Sequence, residues 1–265
     1  LDGGTVLTVT REAMTFDFES ERWYEGGSVT TLDPGRGEQT GEYGFEEPVV
    51  SAALGPDAVY AGTTAGTVVA APVETDTRDR GGTGTGTATP DSRSRGWTTD
   101  TGVAPRGVTA LAAGGRDGVV YAGGADGLAA LSPGGRVRWR WRGGSVAAVV
   151  PGGDATAVYA LTGGRLVALA DDGAVRWTHG ITRERAGAEP VPPRVGPGGV
   201  YLADAAGLTA LAHDGSVRWR RDVGDPAAGP TLSGDGVYHV AREGTVRAFS
   251  PDGRERWAHD PRGRV

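Results

Sequence analysis

Apolar and polar positions along Val158 to His179, VYALTGGRLVALADDGAVRWTH, divide into three short strands separated by two turns. Val158 to Leu161 is short, apolar and rich in β-formers, and Gly163-Gly164 offers the positive-φ residues of a tight hairpin. From Leu166 to Ala170 both alternating faces are apolar, which predicts a strand buried on both sides. Asp172-Gly173 is a second hairpin signal, and the stretch after it sets Val175 and Trp177 against Arg176. That last strand is expected to have one wet face.

Variants of this unit recur through the chain. Each carries a Tyr in one strand (Tyr24, Tyr60, Tyr121, Tyr159, Tyr201, Tyr238) and an aromatic two strands later (Tyr43, Trp97, Trp139, Trp177, Trp219, Trp257), at separations of 19, 37, 18, 18, 18 and 19. Self-similarity at a period near 40 residues is the mark of a propeller or a solenoid. A further strand precedes each Tyr, at Val49 to Leu54, Val108 to Ala112, Val146 to Val150, Pro193 to Val195 and Gly229 to Leu232. Small side chains dominate there, as the crowded inner strands of a propeller require. The pattern predicts an all-β fold, a β-propeller of four-stranded antiparallel blades, six in number.

The two ends of the pattern leave choices open. Met14 to Phe18 fits the inner strand of a first blade, with Gly4 to Val9 pairing beside the last blade. Alternatively, GGTVLTVTREAMTF aligns with GGRLVALADDGAVRW, placing Phe16 in the Trp position and making residues 1–18 the remnant of a seventh blade. The separation of 37 marks an insertion at about 73–96 whose core, RDRGGTGTGTATPDSRSR, has almost no apolar residue and is expected to be a disordered loop. Its GTGTGT run opens no helix and carries no Lys, so it lacks the parts of a phosphate-binding loop. Residues 1–265 are otherwise expected to form a single domain.

Composition narrows the chemistry. The 265 residues include 47 Gly, which suits a turn-dense β-protein, and 38% hydrophobic content supports a core. Lys, Asn and Cys are absent, which removes Schiff-base and thiolate catalysis, disulfides and Cys-type zinc sites. The bias is that of a GC-rich genome, such as a haloarchaeon's. With 33 acidic against 27 basic residues the chain is no phosphate-backbone binder, so nucleic acid is not expected as a partner. No apolar run has the length of a membrane span. The chain begins at Leu1, so the compartment stays open: cytoplasmic, or cell-surface and exported if a leader was removed.

The stretches ALADDGAVRW (168–177), ALAHDGSVRW (210–219), AFSPDGRERW (248–257) and TLDPGRGEQTGEY (31–43) resemble the pyrroloquinoline quinone (PQQ) repeat. That resemblance implies a propeller in which the repeated aromatics, Tyr43, Trp97, Trp139, Trp177, Trp219 and Trp257, dock each blade on its neighbour. It extends to quinoprotein dehydrogenases and to non-enzymatic relatives of the outer-membrane-assembly lipoprotein class. The dehydrogenases clamp PQQ with a vicinal disulfide and a stacking Trp, beside calcium held by carboxylate and amide ligands, in a ring with more repeats. A chain without Cys and Asn lacks those parts, so no cofactor is expected, and PQQ with calcium is disfavoured.

Few other constellations carry chemistry. His179, His213, His239 and His259 show no close metal-ligand spacing, and no GxSxG nucleophile elbow is present. His239 follows Tyr238 in an inner strand, where it is expected as a satisfied structural histidine or, facing the channel, as part of an interaction surface. Arg138, Arg140 and Arg142 flank Trp139 and Trp141, an arrangement suited to an acidic partner, or simply to covering an exposed outer strand. The function expected is a non-catalytic, monomeric scaffold that binds another protein. The alternative is a quinoprotein-type dehydrogenase or sugar-binding propeller with its site in the central channel.

Overall fold

The computed structural model describes residues 6–17, 22–73, 96–114, 117–152, 158–182 and 191–261, which form strands and turns. Among them no helix is long and apolar enough to cross a membrane. The insertion expected at about 73–96 lies almost wholly outside the described residues. Two compact units, Leu1–Gly143 and Gly144–Val265, divide the chain.

Six antiparallel sheets follow one another, three in each unit, and each pairs strands in sequence order. Blade 1 has β1 (Val6–Asp17), β2 (Arg22–Leu32) and β3 (Gln39–Phe45). Blade 2 has β4 (Val49–Leu54), β5 (Ala58–Thr63), β6 (Thr67–Pro72) and β7 (Trp97–Asp100). Blade 3 has β8 (Ala110–Gly114), β9 (Val119–Gly123), β10 (Leu128–Leu131) and β11 (Val137–Trp141). In the second unit, blade 4 comprises β12 (Val146–Pro151), β13 (Val158–Thr162), β14 (Arg165–Leu169) and β15 (Val175–Gly180). Blade 5 comprises β16 (Arg194–Gly196), β17 (Gly199–Asp204), β18 (Gly207–Leu211) and β19 (Val217–Arg221). Blade 6 comprises β20 (Thr231–Ser233), β21 (Gly236–Val240), β22 (Val246–Phe249) and β23 (Glu255–His259).

The Tyr-to-Trp spacing becomes a ladder across three strands. Tyr159 pairs with Ala168, which pairs with Trp177, and the same Tyr-Ala-Trp register recurs at 60-70-97, 121-130-139, 201-210-219 and 238-248-257. Strands two apart stand about 9.6 Å from each other, yet the Tyr and Trp ring centroids lie 5.6–6.2 Å apart. The methyl of the intervening Ala is small enough for both rings to lean together over it. Middle strands are buried on both faces, as in β13 and β14, whereas β15 alternates exposed and half-buried residues. The apolar core lies between neighbouring blades, with Tyr159, Leu161 and Leu166 of blade 4 against Val200, Leu202 and Leu211 of blade 5.

Beside each of four tryptophans the ladder slips. Ala168 pairs with Trp177 but Leu169 with Val175, and blades 3, 5 and 6 repeat the shift. The residue left over is Arg138, Arg176, Arg218 or Arg256, each the extra residue of a bulge, which re-aims its side chain.

Blade 1 departs from the expectation. β1 runs unbroken from Val6 to Asp17 and pairs with β2 along its length, so residues 6–17 are neither a separate inner strand at Met14 to Phe18 nor a seventh blade. Tyr24 is on β2 opposite Thr15, and the ladder that ends at Tyr43 is Val9-Val29-Tyr43. The cause is Gly26-Gly27, which continues β2 instead of turning it. A Cβ on Gly26 would fall 1.9 Å from the Phe45 carbonyl oxygen, and one on Gly27 would fall 2.4 Å from the Val49 nitrogen. These glycines admit a close backbone neighbour.

Candidate functional site

Three tryptophans meet the next blade in the same way. The Trp97 indole N–H donates to the Pro133 carbonyl at 2.8 Å, Trp177 to His213 at 2.9 Å and Trp219 to Pro251 at 2.9 Å. Two residues beyond each acceptor is a turn glycine, Gly135, Gly215 or Gly253, at φ +82°, +89° and +83°. A Cβ there would enter the Trp ring at 2.4–2.6 Å. Positive φ and contact with the indole select the same residue. Trp139 pairs with Tyr121 at 6.2 Å, while Trp257 is 47% exposed.

The arginines in and just after β11 of blade 3 are exposed and bond to residues of their own chain. Arg140 Nε donates to the Thr101 carbonyl at 2.6 Å, Arg142 donates to the Gly102 carbonyl at 3.0 Å, and Arg138 pairs with Asp117 at 3.4 Å. Trp141 is half-buried at the end of β11. Arg140→Met is expected to cost about 0.5–1.5 kcal/mol, the usual net worth of a hydrogen bond. Chemical denaturation monitored by circular dichroism measures it, and an unchanged midpoint would mean that Arg140 is no brace.

His239 is not on the surface. It is wholly buried on β21, opposite Arg247 on β22, where blades 2 to 5 carry the pairs Ala61–Val69, Ala122–Ala129, Ala160–Val167 and Leu202–Thr209. Neither ring nitrogen has a hydrogen-bond partner among the described residues, and Arg247 Nε also lacks one, although Arg247 pairs with Glu255 at 3.2 Å. Burial pushes the His239 pKa below its ordinary value. Backbone groups of Gly224 and Val223 and the Glu243 charge pull the other way without forming a bond of good geometry to the ring. His239 is a neutral core residue.

A cleft of about 390 Å³ opens between blades 2 and 3. Tyr60, Ala70 and Trp97 of one ladder line it together with Pro72 and Pro133 and with Asp57 and Asp117, each in the first hairpin of its blade. Burial first, and then the Asp57 charge, push the Tyr60 hydroxyl above its usual range. At the corresponding place between blades 4 and 5, His213 stands in the position of Pro133 and its Nδ1 contacts the Tyr159 hydroxyl at 3.2 Å.

The bulge arginines explain what is unusual about Asp57. Arg138 and Arg256 reach the first hairpin of their own blades and pair there with Asp117 and Asp235; Arg218 bonds the Gly198 carbonyl at the same point of blade 5. The Arg256 guanidinium, by hydrogen bond and by charge, holds the Asp235 carboxyl below the usual carboxylate range. In blade 2 the residue before Trp97 is Gly96, and Asp57 has no ion-pair partner among the described residues. Sequence reasoning did not single out Asp57. The signal available was Gly96 in place of the arginine of the VRW and ERW copies.

Residues 162–264 match the family model of the outer membrane protein assembly factor BamB. No curated protein matches the chain. Among solved structures it is similar to BamB from Moraxella catarrhalis, with TM-score 0.61 and 18% identity over 97% of this chain and 80% of that one. It is also similar to the computationally designed Ika8 protein, with TM-score 0.61 and 15% identity over 95% and 74% of the two chains. The repeated Tyr-Ala-Trp ladder, the six antiparallel sheets among the described residues and these likenesses agree: the chain has a β-propeller fold, and its residues 162–264 are similar to the BamB family.

Proposed function

We propose that this propeller is a non-catalytic scaffold that binds another protein. The observation that carries the reading is the match of residues 162–264 to a family described as an outer membrane protein assembly factor. An open cleft lined by aromatic rings and carboxylates supports it, since such a site offers contacts to a protein side chain.

PQQ with calcium has no part in this reading. Three of the tryptophans, Trp97, Trp177 and Trp219, each have a Tyr ring on one side and a turn glycine of the next blade against the indole. Among the described residues no three His, Asp or Glu side chains come together as metal ligands. The lack of Cys and Asn in the chain supports leaving the pair out of the reading.

Two measurements on the purified chain test the proposal. Incubation with PQQ and calcium should leave the quinone spectrum unchanged and give no dye-linked oxidation of alcohols or glucose. A photocrosslinking amino acid at Gly134, expressed in the source cells, should yield a defined covalent adduct with one protein, identified by mass spectrometry. Quinone-dependent turnover, or no protein adduct from Gly134 or from any face probed the same way, would overturn the reading.

A further inference from the structure

The repeat contains its own demonstration of what Asp57 binds. In blades 3 and 6 the aspartate of the first hairpin is met by the guanidinium of the arginine preceding the Trp, as in Arg138–Asp117 and Arg256–Asp235. Blade 2 keeps the aspartate and the Trp but has Gly96 at the arginine position. Its first hairpin, like that of blade 3, borders the 390 Å³ cleft, and of the two aspartates there only Asp57 lacks an arginine partner among the described residues. We infer that Asp57 and this cleft form a recognition pocket for an arginine side chain delivered by a protein partner, the incoming guanidinium taking the place left by Gly96. The inference rests on the protein-binding reading above and names the chemistry of the partner segment.

Charge and shape converge on this occupant. Asp57 is exposed and unpaired among the described residues, Asp117, which is paired with Arg138, also lines the cleft, and the chain carries a formal net charge of -6. Beside the carboxylates the lining is apolar: Tyr60, Trp97, Pro72 and Pro133 suit the methylene stem and the neighbouring apolar residues of a segment that carries the charge. A planar guanidinium bonds a carboxylate through two N–H groups, which favours Arg over Lys.

The test uses the full chain and a random-peptide phage library, followed by fluorescence anisotropy with the synthesised selected peptide. Selected sequences should carry Arg at one fixed position, and replacing that Arg by citrulline, which removes the charge and keeps the shape, should weaken binding. An exposed ion pair is worth up to about 1 kcal/mol, so Asp57→Asn should raise Kd by about two- to fivefold. Gly96→Arg should do the same while leaving the carboxylate in place, because it restores the arginine seen in the other blades. Both positions are exposed, and unchanged circular dichroism verifies folding.

The assignment fails if selected peptides show no Arg preference, or if Gly96→Arg binds as tightly as the native chain. It also fails if changing Arg93 and Arg95 to Gln strengthens peptide binding, since the chain would then supply its own occupant. A defined crosslinked partner whose binding ignores both variants would sink this pocket and leave the scaffold reading standing. Absence of any protein partner would sink the scaffold reading itself.

Discussion

Trp219→Ala should lower stability by about 3–5 kcal/mol, the usual cost of deleting a buried tryptophan, and Trp257→Ala should cost far less. The two residues hold equivalent ladder positions, so the contrast isolates surroundings from repeat identity. Trp219 is 8% exposed, bonds the Pro251 carbonyl at 2.9 Å and lies against Gly253. Tyr201 and Phe249 have ring centroids 6.0 and 6.1 Å away, and the Arg221 guanidinium stands over the indole at 5.9 Å. Removing the ring leaves a cavity bounded by Tyr201 and Phe249 and an unbonded carbonyl on the neighbouring blade. Trp257 is 47% exposed, so truncation there removes less buried surface and leaves a smaller void. Urea denaturation followed by circular dichroism measures both. Equal losses would show that contact with the next blade contributes nothing beyond the ladder.

The same ladder shows how much could be read from residues alone. A Tyr and a Trp 18 or 19 apart fix a strand, a turn, a strand, a turn and a strand, because both rings must reach the same face over one small residue. The four-stranded blades follow from that spacing and from the small residues upstream. Blade 1 defeated the same reasoning. Gly26-Gly27 looks like the hairpin glycines Gly163-Gly164, and Tyr24 lies 19 residues before Tyr43. A glycine that turns the chain and one that admits a neighbouring backbone have the same letter, and only the Phe45 and Val49 backbone atoms beside Gly26 and Gly27 distinguish them.

Site residues were less legible for a related reason. The sequence shows that Arg138 and Trp139 are adjacent, but not that the arginine is the extra residue of a bulge aimed at its own first hairpin. Without that geometry the arginines resemble an outward-facing patch, and Gly96 resembles the end of a glycine-rich insertion. With it, Gly96 is a missing partner and Asp57 becomes conspicuous. His239 illustrates the converse. Its place after Tyr238 left the channel and a satisfied structural role both open, and the structure buries it at the position Leu202 occupies in blade 5 without a hydrogen-bond partner for its ring among the described residues.

His239→Leu should raise stability by about 1–3 kcal/mol at neutral pH, the desolvation cost of a buried polar group left without a partner. Leu is the residue blade 5 carries at this position, so the replacement suits the local backbone. The pH dependence provides a second and independent readout. Burial lowers the His239 pKa in the folded chain below the 6.5 of an unhindered histidine. Between those two values the unfolded chain binds a proton that the folded chain does not, so stability falls as pH drops through 6.5 toward the lowered folded value. Above 6.5 the histidine is neutral in both states and contributes no slope. His179 is shifted in the same direction, by burial and then by Arg220, so the variant should lose part of the acid-side slope and keep the remainder. Urea midpoints measured from neutral pH down through this window, for the native chain and the variant, decide the matter. A variant less stable at neutral pH would show that the His239 ring is held by bonds worth more than its desolvation; an unchanged slope would mean that the imidazole titrates alike in both states.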